Sequence, residues 1–255
     1  MENDFSRIKK TEYTQKFIES DYYKNDIFES KVYENFLTDA ELDVFDEAAR
    51  SDDVFYVHDT SMGPVSNRLF GEDPESHTTA NYYIFENFYS KPEWSKLVDI
   101  IQPKLESTFG EGIYASHIHV LESCFPYGLH NDAEQPNMNI APKPAWTLII
   151  PFDDYPSKTY VFNERCGYKD PWSWIHNENI QPNETYCVSD ETYEKDFVPI
   201  TDKELMKYLT VESTFTWKRG SCFAADRYRY HCSDNYYNHG IQKKRAIIMW
   251  TSVKE

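Results

Sequence analysis

The sequence predicts an α+β chain that is mainly β, and three observations predict it. Helix-start signals occupy the first part of the chain and one short later stretch, whereas short runs rich in β-branched and aromatic residues dominate from about Gly112 onward. Turn formers separate those runs. Tyrosine is abundant, with 20 copies against 8 glycines, and it suits half-buried strand faces and the walls of polar pockets. Helices first and strands afterwards imply a helical layer packed on an antiparallel sandwich or barrel. A chain of 255 residues can bury one sizeable core. A single domain is expected, with residues 1–111 as a helical support region and residues 112–255 as the β core. A long insertion falls at about 165–213.

The helix starts have a mechanism. In "LTDAEL", Thr38 is placed as N-cap with Glu41 three residues later, and Leu37 and Leu42 form a hydrophobic staple. The helix predicted there runs from Asp39 to Ala49. "YSKPEW" repeats the device with Ser90, Glu93, Tyr89 and Trp94; Leu97, Val98, Ile101 and Leu105 then continue at helical spacing. Pro103 is expected to kink or end this helix. "ITDKEL" predicts a short third helix capped by Thr201 and Glu204. The predicted strands are "IYASHIHVLESCF", "AWTLIIPF", "KTYVFNE", "STFTWK", "SCFAAD" and "KKRAIIMWTSV", bounded by Gly128, Pro142, Pro144, Pro156 and Gly220.

Composition excludes several classes. A net charge of −17, from 26 basic and 43 acidic residues, repels phosphate backbones, so no nucleic acid partner is expected. The start "MENDFSRIKK" has no apolar signal region and no run reaches the length of a membrane span. A cytoplasmic protein without a membrane partner is the expectation. Five cysteines without CxxC spacing argue against a zinc cage or a disulfide framework.

The chemistry-bearing stretch is "YGLHNDAEQP". In an extended strand, residues i and i+2 project from one face, so His130 and Asp132 point at a common spot that could hold a metal. Taken alone, such a pair is a chance occurrence at a turn. "FAADRYRYHCSD" adds His231, preceded by a strand, and Arg245 follows inside the terminal strand. Two imidazoles and one carboxylate with open positions describe a non-haem Fe(II) site. A guanidinium deep in an apolar strand needs an anion, such as the far carboxylate of a dicarboxylic cosubstrate. The bland alternatives are a satisfied core histidine for His231 and an ion pair with Asp226 for Arg245. His176 and Glu178 repeat the i, i+2 pattern in a less coherent context. His117 and His119 share a strand face without a carboxylate at matching spacing, as an ordinary buried pair would. Trp172 and Trp174, in the long excursion, are candidates for lining a substrate channel, and the excursion itself is expected to be a lid or recognition loop.

The order "HND", "H", "R", with "TWKRGSCFAAD" leading towards the second histidine, resembles the Fe(II)/2-oxoglutarate-dependent oxygenase superfamily, in its prolyl-hydroxylase-like form. The helix at Phe36 to Ala48 is similar to that family's N-terminal helix. The resemblance covers Lys31 to Ala49 loosely and Gly112 to Val253 more firmly. It implies a double-stranded β-helix (a jelly-roll, cupin-like core), with Fe(II) held by His130, Asp132 and His231. It implies 2-oxoglutarate anchored by Arg245, with Tyr127 and Thr147 as further cosubstrate partners. The activity implied is a dioxygenase that hydroxylates a peptidyl side chain or small metabolite, consuming O2 and producing succinate and CO2. One departure is Ile247, where many relatives carry a hydroxyl two residues after the arginine. Two other readings stay open: a non-catalytic jelly-roll binding module, and a zinc hydrolase using the same ligands, which leaves Arg245 without a role.

Overall fold

The structure, a computed structural model, describes residues 24–25, 27–59, 80–132, 144–167 and 170–254; Pro142 lies outside them. Among the described residues, ten strands form two sheets. They are β1 (Lys31–Tyr33), β2 (Phe55–Asp59), β3 (Ala80–Ile84), β4 (Ile113–Ser123), β5 (Pro144–Pro151), β6 (Lys158–Arg165), β7 (Val211–Thr216), β8 (Cys222–Asp226), β9 (Arg229–Ser233) and β10 (Lys244–Val253). The large sheet has the order β1-β8-β5-β10-β4-β3-β2 and the small sheet β7-β6-β9. Every named pairing is antiparallel.

Side-chain alternation sorts these strands into layers. On β10, Ala246, Ile248 and Trp250 face the small sheet and pack with Val161 and Phe215. Ile247 and Met249 face the other way, onto α1 (Asp39–Ala48) and α2 (Ser95–Phe109), where they meet Leu42, Phe45, Leu97 and Ile101. Each such side chain, fully buried, contributes roughly 1.5–3 kcal/mol. Behind the small sheet lies a fourth layer built from the insertion: α3 (Pro171–Glu178), α4 (Asp190–Asp196) and a 3-10 turn at Lys203–Lys207. Trp174, Phe197 and Met206 from that layer pack on Tyr160, Phe162 and Tyr230. No helix among the described residues is long and apolar enough to cross a membrane.

The first capping box forms as predicted: Glu41 N donates to Thr38 Oγ1 at 3.3 Å and Thr38 N donates to Glu41 Oε2 at 2.7 Å. The second does not. Ser90 Oγ instead donates to the Asn87 carbonyl, and a 3-10 turn at Pro92–Trp94 leads into α2. Pro103 neither ends nor confines α2, which runs on to Phe109. The proline sits on the solvent face, where water reaches the carbonyl it frees, while Leu97, Ile101 and Leu105 hold the opposite face to the sheet. At the third start Asp202, not Thr201, is the cap, and the helix is a 3-10 turn. Residues 1–111 are also more than a helical support: β1 closes one edge of the large sheet, and β3 and β2 extend the other.

One backbone position ties the helical layer to the sheet. Gly220 has φ +68, and Leu37 N donates to its carbonyl at 2.9 Å. A Cβ at Gly220 would lie 2.4 Å from the Leu37 carbonyl oxygen, which is backbone and cannot step aside cheaply. Gly220→Ala is therefore expected to destabilise the protein by at least about 2 kcal/mol, read as a lower urea midpoint at unchanged slope. A variant as stable as the parent would mean that this turn relaxes freely.

A candidate metal centre between the sheets

The local pairing explains why three distant residues converge. His130 and His231 form an isolated antiparallel bridge, with His130 N donating to His231 O at 3.0 Å and His231 N donating to His130 O at 2.8 Å. Directly opposed residues of an antiparallel pair point to the same side, so both imidazoles face inward, with ring centroids 4.4 Å apart. Asp132 is two residues beyond His130, on the same side, and its N–H donates to the Arg227 carbonyl at 3.0 Å. One ligand atom from each of the three lies within 4.8 Å of the others. Asn131, the residue between, points away and donates to the Cys166 carbonyl at 2.9 Å.

Second contacts set the ligand atoms. A carbonyl oxygen only accepts, so His130 Nδ1, 2.7 Å from the Gly128 carbonyl, carries its proton, and Nε2 keeps its lone pair. His231 Nδ1 is held likewise by the Arg229 carbonyl at 3.2 Å, and its Nε2 lies 3.6 Å from Asp132 Oδ2. Thr147 Oγ1 donates to that same carboxylate at 2.6 Å. Burial pushes the Asp132 carboxyl up, but the two imidazoles, the Thr147 hydroxyl and Arg227 together hold it below its ordinary value. The carboxylate thus stays ionised beside two oriented nitrogen donors, which is the donor set and outer shell that a divalent iron-group metal requires.

Arg245 does not join them. It alternates onto the helix-facing side of β10, where its guanidinium pairs with Asp46 Oδ1 of α1 at 2.5 Å and stacks over Phe152. Asp226 pairs with Arg165 at 2.8 Å instead. The inward cation on that stretch is the preceding residue. Lys244 is 2% exposed, and its Nζ donates to Ser157 Oγ at 2.8 Å and Ser233 Oγ at 3.0 Å. The rings of Trp217 and Tyr236 enclose it at 3.9 and 4.6 Å. Ser233 is two residues beyond His231 on β9, so Lys244 opens onto the same side of the small sheet as the histidine. Among the described residues no carboxylate lies within ion-pair distance of its ammonium. Burial lowers the Lys244 pKa to about 7, with Asp234 partly opposing that shift.

Thr147 serves Asp132 through the bond above, so the structure places it as a carboxylate-orienting hydroxyl. Tyr127 lies at the edge of the triad, its ring 5.8 Å from that of His130 and its hydroxyl bonded to that of Tyr82. Trp172 and Trp174 pack away from the inward face that carries the triad. Both belong to the layer behind the small sheet, where Trp174 packs on Tyr230, which points away from His231. That placement gives both rings a packing role, because a tryptophan-rich excursion can bury its rings against a sheet. His176 sits exposed on α3 and stacks on Trp172. A second cluster, Asp196, Asp234 and His239, is tied up by protein partners: Lys158 and Tyr160 hold Asp196, and Ser157 holds Asp234.

No family model and no curated protein matches this chain. Solved structures do. SnoN, a non-heme alpha ketoglutarate dependent epimerase from nogalamycin biosynthesis, aligns with a TM-score of 0.50 at 14% identity, covering 91% of this chain and 81% of SnoN. HygX from Streptomyces hygroscopicus, crystallised with nickel and 2-oxoglutarate, aligns with a TM-score of 0.48 at 10% identity over 96% of this chain and 88% of its own. An oxidoreductase of the 2OG-Fe(II) oxygenase family from Burkholderia pseudomallei aligns at 0.46 and 9% identity, covering 99% and 92%. In fold, this chain is therefore similar to SnoN, a non-heme, alpha ketoglutarate dependent epimerase.

Proposed function

We propose that this protein is an Fe(II)- and 2-oxoglutarate-dependent oxygenase on a double-stranded β-helix, with His130, Asp132 and His231 as iron ligands. The carrying observation is the convergence of these three side chains, with fixed nitrogen tautomers, between the two sheets. Lys244 replaces Arg245 as the anchor for the distal carboxylate of the cosubstrate. The buried ammonium touches two hydroxyls and two rings, with Asp234 reaching it only through Ser157, so it can still take a carboxylate in direct contact, and it lies on the face that carries His231. When bound, iron and 2-oxoglutarate would supply O2 activation coupled to decarboxylation of the cosubstrate to succinate and CO2.

The chain's own residues do the rest. The Gly128 and Arg229 carbonyls keep the imidazole protons on Nδ1, Thr147 fixes the carboxylate rotamer, and Ser157 and Ser233 aim the Lys244 ammonium. Apolar side chains between the sheets, among them Ile149, Val161, Phe215 and Ile248, exclude water from that layer. The net reaction proposed is hydroxylation of a peptidyl side chain or small metabolite.

Anaerobic titration of the metal-free protein with Fe(II) and then 2-oxoglutarate tests this reading through the visible metal-to-ligand charge-transfer band. The band is expected in the parent and in Arg245→Ala, and absent from His231→Ala and Lys244→Met. Metal uptake without any band on adding 2-oxoglutarate would overturn the cosubstrate assignment and return the zinc-hydrolase reading.

A further inference from the structure

Towards the Trp250 end of the inward face, His117 and His119 of β4 and Tyr82 of β3 set polar side chains beside Trp250, in a wall shared with the apolar Leu121, Ala246 and Ile248, and the reading above gives these polar groups neither metal nor cosubstrate. Because β4 and β10 are antiparallel, Lys244 stands opposite Ser123 while Trp250 stands opposite His117 and Ile248 opposite His119. The ring contacts run without a gap from the iron ligand outward: His130 to Tyr127 at 5.8 Å, the Tyr127 hydroxyl to that of Tyr82, Tyr82 to His119 at 5.4 Å, and His119 to Trp250 at 5.3 Å. His117 closes the series, stacked on Trp250 at 4.7 Å and 29°.

Two polar atoms in this wall lack partners. His119 Nδ1 and Trp250 Nε1 are buried and take no hydrogen bond from any described residue. A buried donor left unpaired costs about 1–3 kcal/mol, and buried polar groups in native proteins are nearly always satisfied. Charge gives the polarity of what would satisfy them. His117 and His119 are kept neutral by burial, His117 with its pKa down to about 4, and the cation acting on His117 is Arg227. Asp59 acts on the Tyr127 and Tyr82 hydroxyls and not on the imidazoles. Beyond Asp132, which the triad uses, this end presents an indole N–H, imidazole nitrogens and a nearby guanidinium.

We propose that His117, His119 and Trp250 form the substrate subsite of this enzyme, and that they receive a planar, acceptor-bearing group, a carboxylate in the first instance, rather than an amine. The assignment rests on the iron and 2-oxoglutarate reading and adds the substrate class to it. The flat indole and imidazole surfaces suit a planar group, and the donors suit its oxygens. A cationic group would lie beside Arg227, and among the described residues the carboxylates that act on this wall are Asp132, which the triad uses, and Asp59, which acts on the Tyr82 and Tyr127 hydroxyls.

The test uses three matched probes, phenylacetate, phenylacetamide and phenethylamine, with the Zn(II)- and 2-oxoglutarate-loaded full-length protein. Binding is followed by ligand-observed saturation-transfer NMR and by the imidazole resonances of His117 and His119. The carboxylate is expected to bind most tightly, the amide next and the amine least, with both imidazoles shifting. Trp250→Phe, which keeps a ring and removes the N–H, should weaken phenylacetate by about tenfold and leave 2-oxoglutarate affinity within about twofold. Preference for the amine, binding by none of the three, or equal affinity in Trp250→Phe would overturn the proposal. The charge-transfer titration described above reads the cofactor assignment separately. A band with no carboxylate preference removes only the substrate class, whereas no band removes the assignment on which that class rests.

Discussion

Replacing Asp132 with alanine is expected to lower Fe(II) affinity by at least about a hundredfold, and replacing Thr147 with valine by about ten- to a hundredfold. The two variants probe successive links of one chain of contacts. Asp132 supplies the only carboxylate of the cluster, and its removal leaves two imidazoles 4.4 Å apart with nothing anionic to balance a divalent charge. Thr147 touches the cluster only through its 2.6 Å bond to Asp132 Oδ2. Valine keeps its shape and removes the bond, so the carboxylate can rotate and the fixed geometry is lost while the ligand remains. Metal-free stability should also fall in Asp132→Ala, because the partners that hold this carboxyl below its ordinary value lose it and the Thr147 hydroxyl is left without its acceptor. Anaerobic competition against a chromogenic chelator measures the affinities, and thermal denaturation of the metal-free proteins controls for folding. Should Thr147→Val bind iron like the parent but lose 2-oxoglutarate, the hydroxyl serves the cosubstrate directly, as the family resemblance implied.

How much of this was legible beforehand depends on whether a feature was local. The i, i+2 relation of His130 and Asp132 and the Thr38 capping box follow from spacing within a few residues, and both stand in the structure. His231 joins them through a single bridge between distant segments, which spacing cannot show; here the family-like order of residues carried the assignment. Arg245 and Lys244 show where sequence pattern loses its power. A strand with one wet face betrays its orientation by alternation, but β10 lies in mid-sheet with both faces covered, so "KRAIIMWTSV" is apolar on both sides. Nothing in that run says whether the odd or the even residues face the small sheet, and a one-residue shift exchanges the inward cation for its neighbour. The same ambiguity hid His117 and His119, whose inward orientation comes from the register of β4 against β10. Trp172 and Trp174 have a place that spacing does not show: the small sheet has an outer face that needed covering, and the excursion supplied the cover.

Lys244, the proposed anchor, carries the second large prediction, and pH distinguishes it from any generic cation. Lys244→Met should weaken 2-oxoglutarate binding by at least about a hundredfold, since it removes one partner of a buried charge-assisted contact. Arg245→Ala should leave the affinity within about threefold, since the contacts it breaks, to Asp46, Glu122 and Phe152, lie on the helix side. Lys244→Met is not expected to unfold the chain, because it replaces a buried cation between Trp217 and Tyr236 with an apolar stem of similar length.

The pH dependence has a definite sign. An unfolded lysine titrates near about 10.4, whereas Lys244 in the free protein is lowered to about 7 by burial. The folded state therefore binds this proton more weakly. Between these two values the unfolded chain holds the extra proton, and this site makes the free protein more stable as pH rises, by at most about 1.4 kcal/mol per unit. Below about pH 7 both states are protonated and the contribution is flat. A bound carboxylate reverses the preference by favouring the ammonium form. Above pH 7 binding must then take up a proton, so affinity for 2-oxoglutarate should fall with rising pH, approaching about tenfold per unit. Calorimetry on the Zn(II)-loaded protein in two buffers of different ionisation enthalpy reads that proton directly, and Lys244→Arg, which stays charged throughout this range, should bind without uptake. Equal heats in both buffers for the parent, together with a loss of binding in Arg245→Ala, would restore the arginine as anchor and leave Lys244 as a buried amine paired only with its two serines.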